Sequence, residues 1–423
     1  MSSKFEVDEK LCETEFTIGW LLDSLNQNDE KFKKNYSNRK ISNVSARDIS
    51  GGKGMFSIVL KCGLLFEDSK DENDIYTTIL KIPGTYVFDE LNEKGSVDAP
   101  KAEFMDIPGM HTTEVNFYNI FKTKMPKILP TVHFAQLWIP GKHLGCLHME
   151  DLSKRGAGLN FYDCLNHAQI KSIIRGMAYF HKELLCCDEK IWKGKFPIKI
   201  EFFDNLEGFV DGFYKTFKGY LKTDHKIDEF NSFLNDPKLG KLIRNTEFVK
   251  YVATKSHLDS GIPTALVHGD LWNNNIIFKC DSNGAISNDV EAFLDWQVVQ
   301  EGNLVCDFAR LLTCSCEGDI RREAETYIFE YFVDCLNAEL AQGGKPPVPY
   351  TAKQLRENYE AVFIIHLMHP IFMMPLFFAT KTSTPEEKTI DEARIDRCIL
   401  RALHTCQDAK KYADSGKFDK WLN

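Results

Sequence analysis

The 423-residue sequence is short of positive charge: 52 Lys and Arg stand against 61 Asp and Glu, a net charge of −9 with histidines neutral. That balance argues against a general nucleic-acid binder, which needs a basic excess to meet phosphate. There is no repeated C-x-x-C pattern, although the cysteines number 13. They are scattered, with Cys186-Cys187 and Cys314-x-Cys316 the closest pairs, and scattered thiols at core-like positions suit a reducing compartment better than a disulfide framework. Internal repeats and a low-complexity tail are also missing. The first residues, Met1 to Lys10, are polar and mixed in charge without the apolar stretch of a secretory leader, so a cytoplasmic location is expected. The most apolar segment, 361–379, is interrupted by His366, His369, Pro370 and Pro375, and two prolines would break a spanning helix. A buried helix whose continuation lines a pocket is expected there, and no membrane partner.

What the chain does have is apolar and aromatic content, 43% and 12%, enough for the core of one large or two ordinary domains. Its most informative stretch is Leu266 to Phe278, L-V-H-G-D-L-W-N-N-N-I-I-F, followed by Ala292 to Gln297, A-F-L-D-W-Q. Either piece alone is ordinary turn chemistry between strands. Together they set Asp270 on a tight turn, Asn275 five residues later, and Asp295 at the close of the next apolar run. Phosphoryl transfer needs such a set, with one carboxylate beside the attacking hydroxyl and two oxygen ligands holding Mg²⁺ against nucleotide phosphates. Asp270 is therefore the candidate catalytic residue, and Asn275 and Asp295 the candidate metal ligands. A phosphoesterase-type His-x-Asp metal pair at His268 would want a second His/Asp cluster, which the sequence does not offer.

H-G-D-L-W-x-x-N followed by L-D-W-Q resembles the small-molecule branch of the protein-kinase-like fold: aminoglycoside phosphotransferases, choline kinases and especially the ecdysteroid-kinase-like or CHK-kinase-like proteins of insects and nematodes. Trp272 after H-G-D-L and the D-W-Q at Asp295 are the features similar to that last group. The resemblance implies an α+β, bilobal protein-kinase-like fold, with a small antiparallel-sheet N-lobe over residues 1–150 and a larger, mainly helical C-lobe over 151–423. It implies ATP and Mg²⁺ as cofactors, and its register selects Asn275 over Asn273 and Asn274. The polar Asn-Gly hairpin of residues 280–289 lengthens the turn before Asp295.

The same resemblance assigns the rest of the nucleotide site. Strand, glycine turn, strand over residues 41–62 supplies Gly52 and Gly54, with Ser57 where a third glycine is expected. Lys81 closes the next β-rich segment as the lysine that meets nucleotide phosphates; a solvated surface charge is the plain alternative. Its carboxylate partner is Glu114, on a helix expected to start with Thr112 or Thr113 as N-cap, with Glu103 as rival. Met149, Glu150, Asp151 and Leu152 form the hinge. An apolar face of Ile170, Ile173, Ile174, Met177 and Phe180 marks a central helix over 167–185. Further helices are expected over 14–26, 209–220 and 242–255. Asp307, in a G-x-x-x-x-D-h-A pattern beginning at Gly302, is expected to receive backbone N–H bonds from the catalytic loop or to cap a helix.

No A-P-E segment follows Asp295, so peptide acceptors are not expected. The implied acceptor is a small-molecule alcohol: a sterol, a glycoside, or a choline-like cation caged by Trp192, Tyr214, Phe363 and Phe372. The alternative is a catalytically silent binding protein that keeps the fold.

Overall fold

The computed structural model describes residues 5–50, 56–71, 73–84, 106–379 and 384–422; Gly52, Gly54 and Glu103 lie outside the described residues. The described chain divides into two compact units, one ending at Arg155 and one starting at Gly156.

In the first unit, helices α1 (Ile18–Asn28) and α2 (Glu30–Asn35) precede strands β1 (Ile41–Asp48), β2 (Ser57–Phe66) and β3 (Ile75–Pro83). Helix α3 (Ile107–Phe121) and strands β4 (Val132–Gln136) and β5 (Cys146–Glu150) complete it. The five strands make one antiparallel sheet in the order β1-β2-β3-β5-β4. Alternation along β3 turns Tyr76, Leu80 and Ile82 into a core shared with Leu21 and Leu25 of α1 and Phe32 of α2. Lys81 therefore points to the opposite face.

Two helix starts differ from the sequence expectation. Helix α1 begins after Thr17, whose side chain accepts from the Trp20 N–H, because the Thr14 hydroxyl is already bonded to the Leu11 carbonyl. Helix α3 begins well before Thr112: Asp106 caps it, accepting from the Gly109 N–H, and Pro108 sits in the first turn where its missing N–H costs nothing. Thr112 and Thr113 instead lie inside the helix and donate back to the Pro108 and Gly109 carbonyls.

The second unit opens with β6 (Gly156–Gly158) and α4 (His167–Cys186), whose start is fixed by a capping box between Asn166 and Gln169. The apolar face expected of α4 is buried. Helices α5 (Leu206–Lys218), α6 (Asp224–Leu234), α7 (Leu239–Leu242), α8 (Thr246–Thr254) and α9 (Ser256–Asp259) follow. The single helix expected over 242–255 is broken because Asn245 caps a new one, accepting from Phe248 N–H. Strands β7 (Ala265–Val267) and β10 (Gln300–Gly302) form a two-stranded ribbon, and β6, β8 (Ile276–Cys280) and β9 (Ile286–Phe293) a three-stranded sheet. The chain then continues as α10 (Val305–Ser315), α11 (Gly318–Ala324), α12 (Ile328–Gln342), α13 (Ala352–His366), α14 (Met368–Ala379) and α15 (Pro385–Ala413).

Among the described residues no single helix is long and apolar enough to cross a membrane; α13 and α14 reach that length and composition only as a pair, bent by 41°. Pro370 explains the bend. It has no N–H for the His366 carbonyl, and the His369 ring Nδ1 donates to that carbonyl instead, at 3.1 Å. Val362, Ile364, Ile371 and Met374 along the pair are wholly buried.

Candidate active site

The site in the second unit is built on the turn that follows β7. Gly269 has φ +80°, and a Cβ there would lie 2.5 Å from the Val298 carbonyl oxygen, so only glycine fits. Asp307, in the first turn of α10, holds this turn from below: its carboxylate accepts the His268 N–H at 2.8 Å and the Gly269 N–H at 2.9 Å. Burial raises the Asp307 carboxyl above its ordinary range, while the His268 and Gly269 N–H donors pull it the other way. Leu304 is the N-cap residue and the Asn303 amide oxygen accepts the Val305 N–H at 3.1 Å, so Asp307 acts on the loop and not as an N-cap.

His268 braces the loop sideways. Its Nε2 donates to the Leu294 carbonyl at 2.9 Å, and its Nδ1 accepts the Asp270 N–H at 3.3 Å, which together fix one neutral tautomer. The ring packs against Trp296 with centroids 4.4 Å apart. Asn275 is tied to the same neighbour, since its carbonyl accepts the Leu294 N–H at 2.8 Å. Asp295, next along, has φ +65°, a left-handed conformation rare for a residue with a Cβ and a mark of strain held at functional positions.

These bonds bring Asp270, Asn275 and Asp295 into one neighbourhood. The Asn275 amide nitrogen donates to the Asp270 carbonyl at 2.8 Å and to its carboxylate at 3.0 Å, which leaves the amide oxygen as the atom for a cation. Asn273 is used differently: wholly buried, it donates to the Asn160 and Asp163 carbonyls and anchors the loop. Among the described residues no group of three or more His, Cys, Asp or Glu is gathered to hold a metal unaided. An amide oxygen and one carboxylate fit Mg²⁺, which keeps several waters and takes its other ligands from phosphate.

Arg310 joins these residues although no motif marks it. Arg310, one turn after Asp307 on α10, is 4% exposed and donates through Nε at 3.0 Å and through Nη2 to Asp270 Oδ1. Trp272 Nε1 donates to Oδ2 at 3.2 Å. With Asn275, four side-chain N–H groups converge on the Asp270 carboxylate, whose side chain is 21% exposed. The signal was an arginine in an apolar helix run, Phe308-Ala309-Arg310-Leu311-Leu312, where a charge is tolerated only with a partner.

In the first unit, Lys81 Nζ lies 2.9 and 2.7 Å from the two Glu114 carboxylate oxygens, with side chains 13% and 2% exposed. With α3 starting at Ile107, Glu114 lies inside the helix, among its buried residues, and not in its first turn. Ser57 opens β2 opposite Pro83. Met149 and Glu150 are strand residues of β5 paired with β3, and Asp151 and Leu152 follow them out of the sheet. Burial would raise the Asp151 carboxyl, but Lys61 at 2.8 Å and the Ser153 N–H bring it down to about 2.

The family model DUF1679, described as "Uncharacterized oxidoreductase dhs-27", matches residues 31–413. The chain is 27% identical over 378 residues to the Caenorhabditis elegans protein named "Uncharacterized oxidoreductase dhs-27", covering 88% of this chain and 43% of that one. It is 22% identical over 262 residues to the C. elegans "Uncharacterized kinase-like protein D1044.1", covering 59% of this chain and 61% of that one. The chain thus spans less than two thirds of the length of these curated relatives. Among solved structures it is similar to a choline kinase from Cryptosporidium parvum Iowa II, with a TM-score of 0.50 and 13% identity over 96% of this chain and 99% of that one. At that identity the likeness concerns the fold.

Proposed function

The chain belongs to the DUF1679 family and has the protein-kinase-like fold, and from that premise we propose that it is an ATP- and Mg²⁺-dependent phosphotransferase acting on a hydroxyl of a small-molecule alcohol. The observation that carries this is the loop after β7: a glycine-only turn presents Asp270, while Asn275 and the strained Asp295 are tied to the same neighbour, Leu294.

The chemistry follows from the residues. An alcohol is a weak nucleophile near neutral pH, and Asp270 accepts its hydrogen bond, orients its oxygen and takes its proton as transfer proceeds. The acceptor oxygen bonds to the γ-phosphorus as the bond from that phosphorus to its bridging oxygen breaks, and ADP leaves with the electron pair. Arg310, Trp272 and Asn275 hold the carboxylate in one orientation. Mg²⁺, when bound, offsets the charge on the phosphate oxygens; the Asn275 amide oxygen and the Asp295 carboxylate are the ligands this chain offers it. Lys81, aimed by Glu114, supplies a cation for the nucleotide phosphates.

The word oxidoreductase in the name of one relative does not transfer. A dinucleotide fold of the doubly wound type needs a parallel sheet, and every strand pairing among the described residues is antiparallel. Peptide acceptors are disfavoured because α10 starts at Val305, directly after β10, with no activation segment between Asp295 and it. The test is transfer of labelled γ-phosphate from ATP to pooled alcohols, sterols and glycosides. Label should reach a small molecule with the wild type and not with Asp270→Asn; label on protein alone, or equal transfer by both proteins, would overturn the proposal.

A further inference from the structure

The chain's own cations already cover three of the four rings expected to cage a cationic acceptor. The Arg310 guanidinium lies 5.7 Å from the Phe372 centroid and 5.9 Å from that of Trp272. Arg321 is 4.8 Å from the Phe363 ring, and Lys218 5.6 Å from that of Tyr214. Three of the four rings expected to cage a quaternary ammonium are thus occupied from within. The carboxylate such a cation would also want, Asp270, is paired with Arg310.

Arg310 has one group to spare. Nε and Nη2 face Asp270, but Nη1 is buried and has no hydrogen-bond partner among the described residues. A buried charged donor without an acceptor is costly, and the cost is removed when a ligand supplies one. The nearest histidines do not compete for an anion as cations. His366 is pushed down to about 4 by burial and by Arg310, and His369 lies well below its ordinary value for the same reasons. Each uses Nδ1 on a main-chain carbonyl, Val362 for His366 and His366 for His369. Around the guanidinium the walls are aromatic, with Phe372 packed against His369, Phe209 and Phe213.

We propose that the acceptor alcohol carries an oxyanion, a carboxylate, sulfate or phosphate, that binds Arg310 Nη1 while its apolar body packs on Trp272 and Phe372 and its hydroxyl meets Asp270. Cationic alcohols are excluded because Arg310 stands where their charge would go. This specificity rests on the phosphotransferase reading, and the experiment separates the two.

Three matched probes, para-(hydroxymethyl)benzoate, para-benzenedimethanol and para-(aminomethyl)benzyl alcohol, are titrated into the wild type, Arg310→Gln and Arg310→Lys with ligand-observed NMR. On the wild type the benzoate binds best and the ammonium worst, by about tenfold or more between them. Arg310→Gln removes the preference, and Arg310→Lys, which keeps the charge and serves as the control should the glutamine variant fail to fold, retains part of it. Equal or tighter binding of the ammonium probe, or a preference that survives in Arg310→Gln, would overturn the proposal. So would displacement of the benzoate by ATP–Mg²⁺, which would put Arg310 on the nucleotide. The ATP-dependent melting shift of the wild type is recorded alongside. A shift without the benzoate preference defeats the oxyanion site alone, and the preference without a shift supports that site while the phosphotransferase reading falls.

Discussion

Asp270 is surrounded by donors in a way that sets its role. Four N–H groups fix the carboxylate, and two of them belong to the buried Arg310. Asp270→Asn keeps the shape and removes the charge, so kcat should fall about 100- to 10,000-fold with KM little changed, as steady-state kinetics on the identified acceptor will show. A fall in KM of the same size as the fall in kcat would instead mean that Asp270 strains the bound substrate. Asp270 and Asn275 lie on one loop and Asp295 follows β9, so their candidacy rests on local turn chemistry and on the register of the resemblance. Arg310 is marked in the sequence only as a charge within an apolar run; its partner lies on a different element, and nothing within α10 names that partner.

Helices α1, α3 and α8 owe their starts to single caps, and this is where sequence and structure part. Pro108 and Asp106 start α3 earlier than Thr112 would, so Glu114 lies inside the helix, beside Lys81, and not in its first turn. The signal was local, an Asp-x-Pro, but two threonines offered an equally good cap, and only the tertiary fold decided. The same competition moved the start of α1 and split the stretch over 242–255 at Asn245. The turn after β7 is the least tolerant element. Gly269→Ala would force a Cβ against the Val298 carbonyl at positive φ, and should lower stability by about 1–3 kcal/mol and activity with it. Urea unfolding measures the first; an unchanged midpoint would show that the turn relaxes. Asp106→Ala should cost about 1 kcal/mol through loss of the α3 cap and weaken ATP binding through Glu114, whereas Thr112→Ala should do neither.

At the scale of the whole molecule, buried histidines tie stability to pH. Burial holds His111, His181 and His257 at about 4 and His148 at about 3, all lowered from 6.5, and His366 at about 4 with Arg310 adding to the effect. A histidine whose folded pKa is depressed takes up its proton in the unfolded chain first, so its stability contribution is whole above 6.5 and is lost as pH falls toward 4. Each such group contributes up to about 1.4 kcal/mol per pH unit in that window. The melting temperature should therefore drop steadily from pH 6.5 to pH 4.5, above the range in which Asp151 titrates; a flat profile there would mean these rings are hydrated. That the N-terminal part is mainly sheet and the C-terminal part mainly helical is legible in the change from alternating to helical periodicity after residue 162, since periodicity is written directly in the chain. The Arg310–Asp270 pair is not, because it joins residues far apart in sequence, whereas the Lys81–Glu114 pair is reached only through the resemblance.

A Mg²⁺-dependent nucleotide site is checked by thermal shift with ATP, with and without Mg²⁺, on the wild type and Asp295→Ala. A rise in melting temperature of several degrees that needs Mg²⁺ and vanishes in Asp295→Ala is the expected result. No shift in the wild type at millimolar nucleotide would contradict it, and the chain would then be a silent binding protein on the same fold.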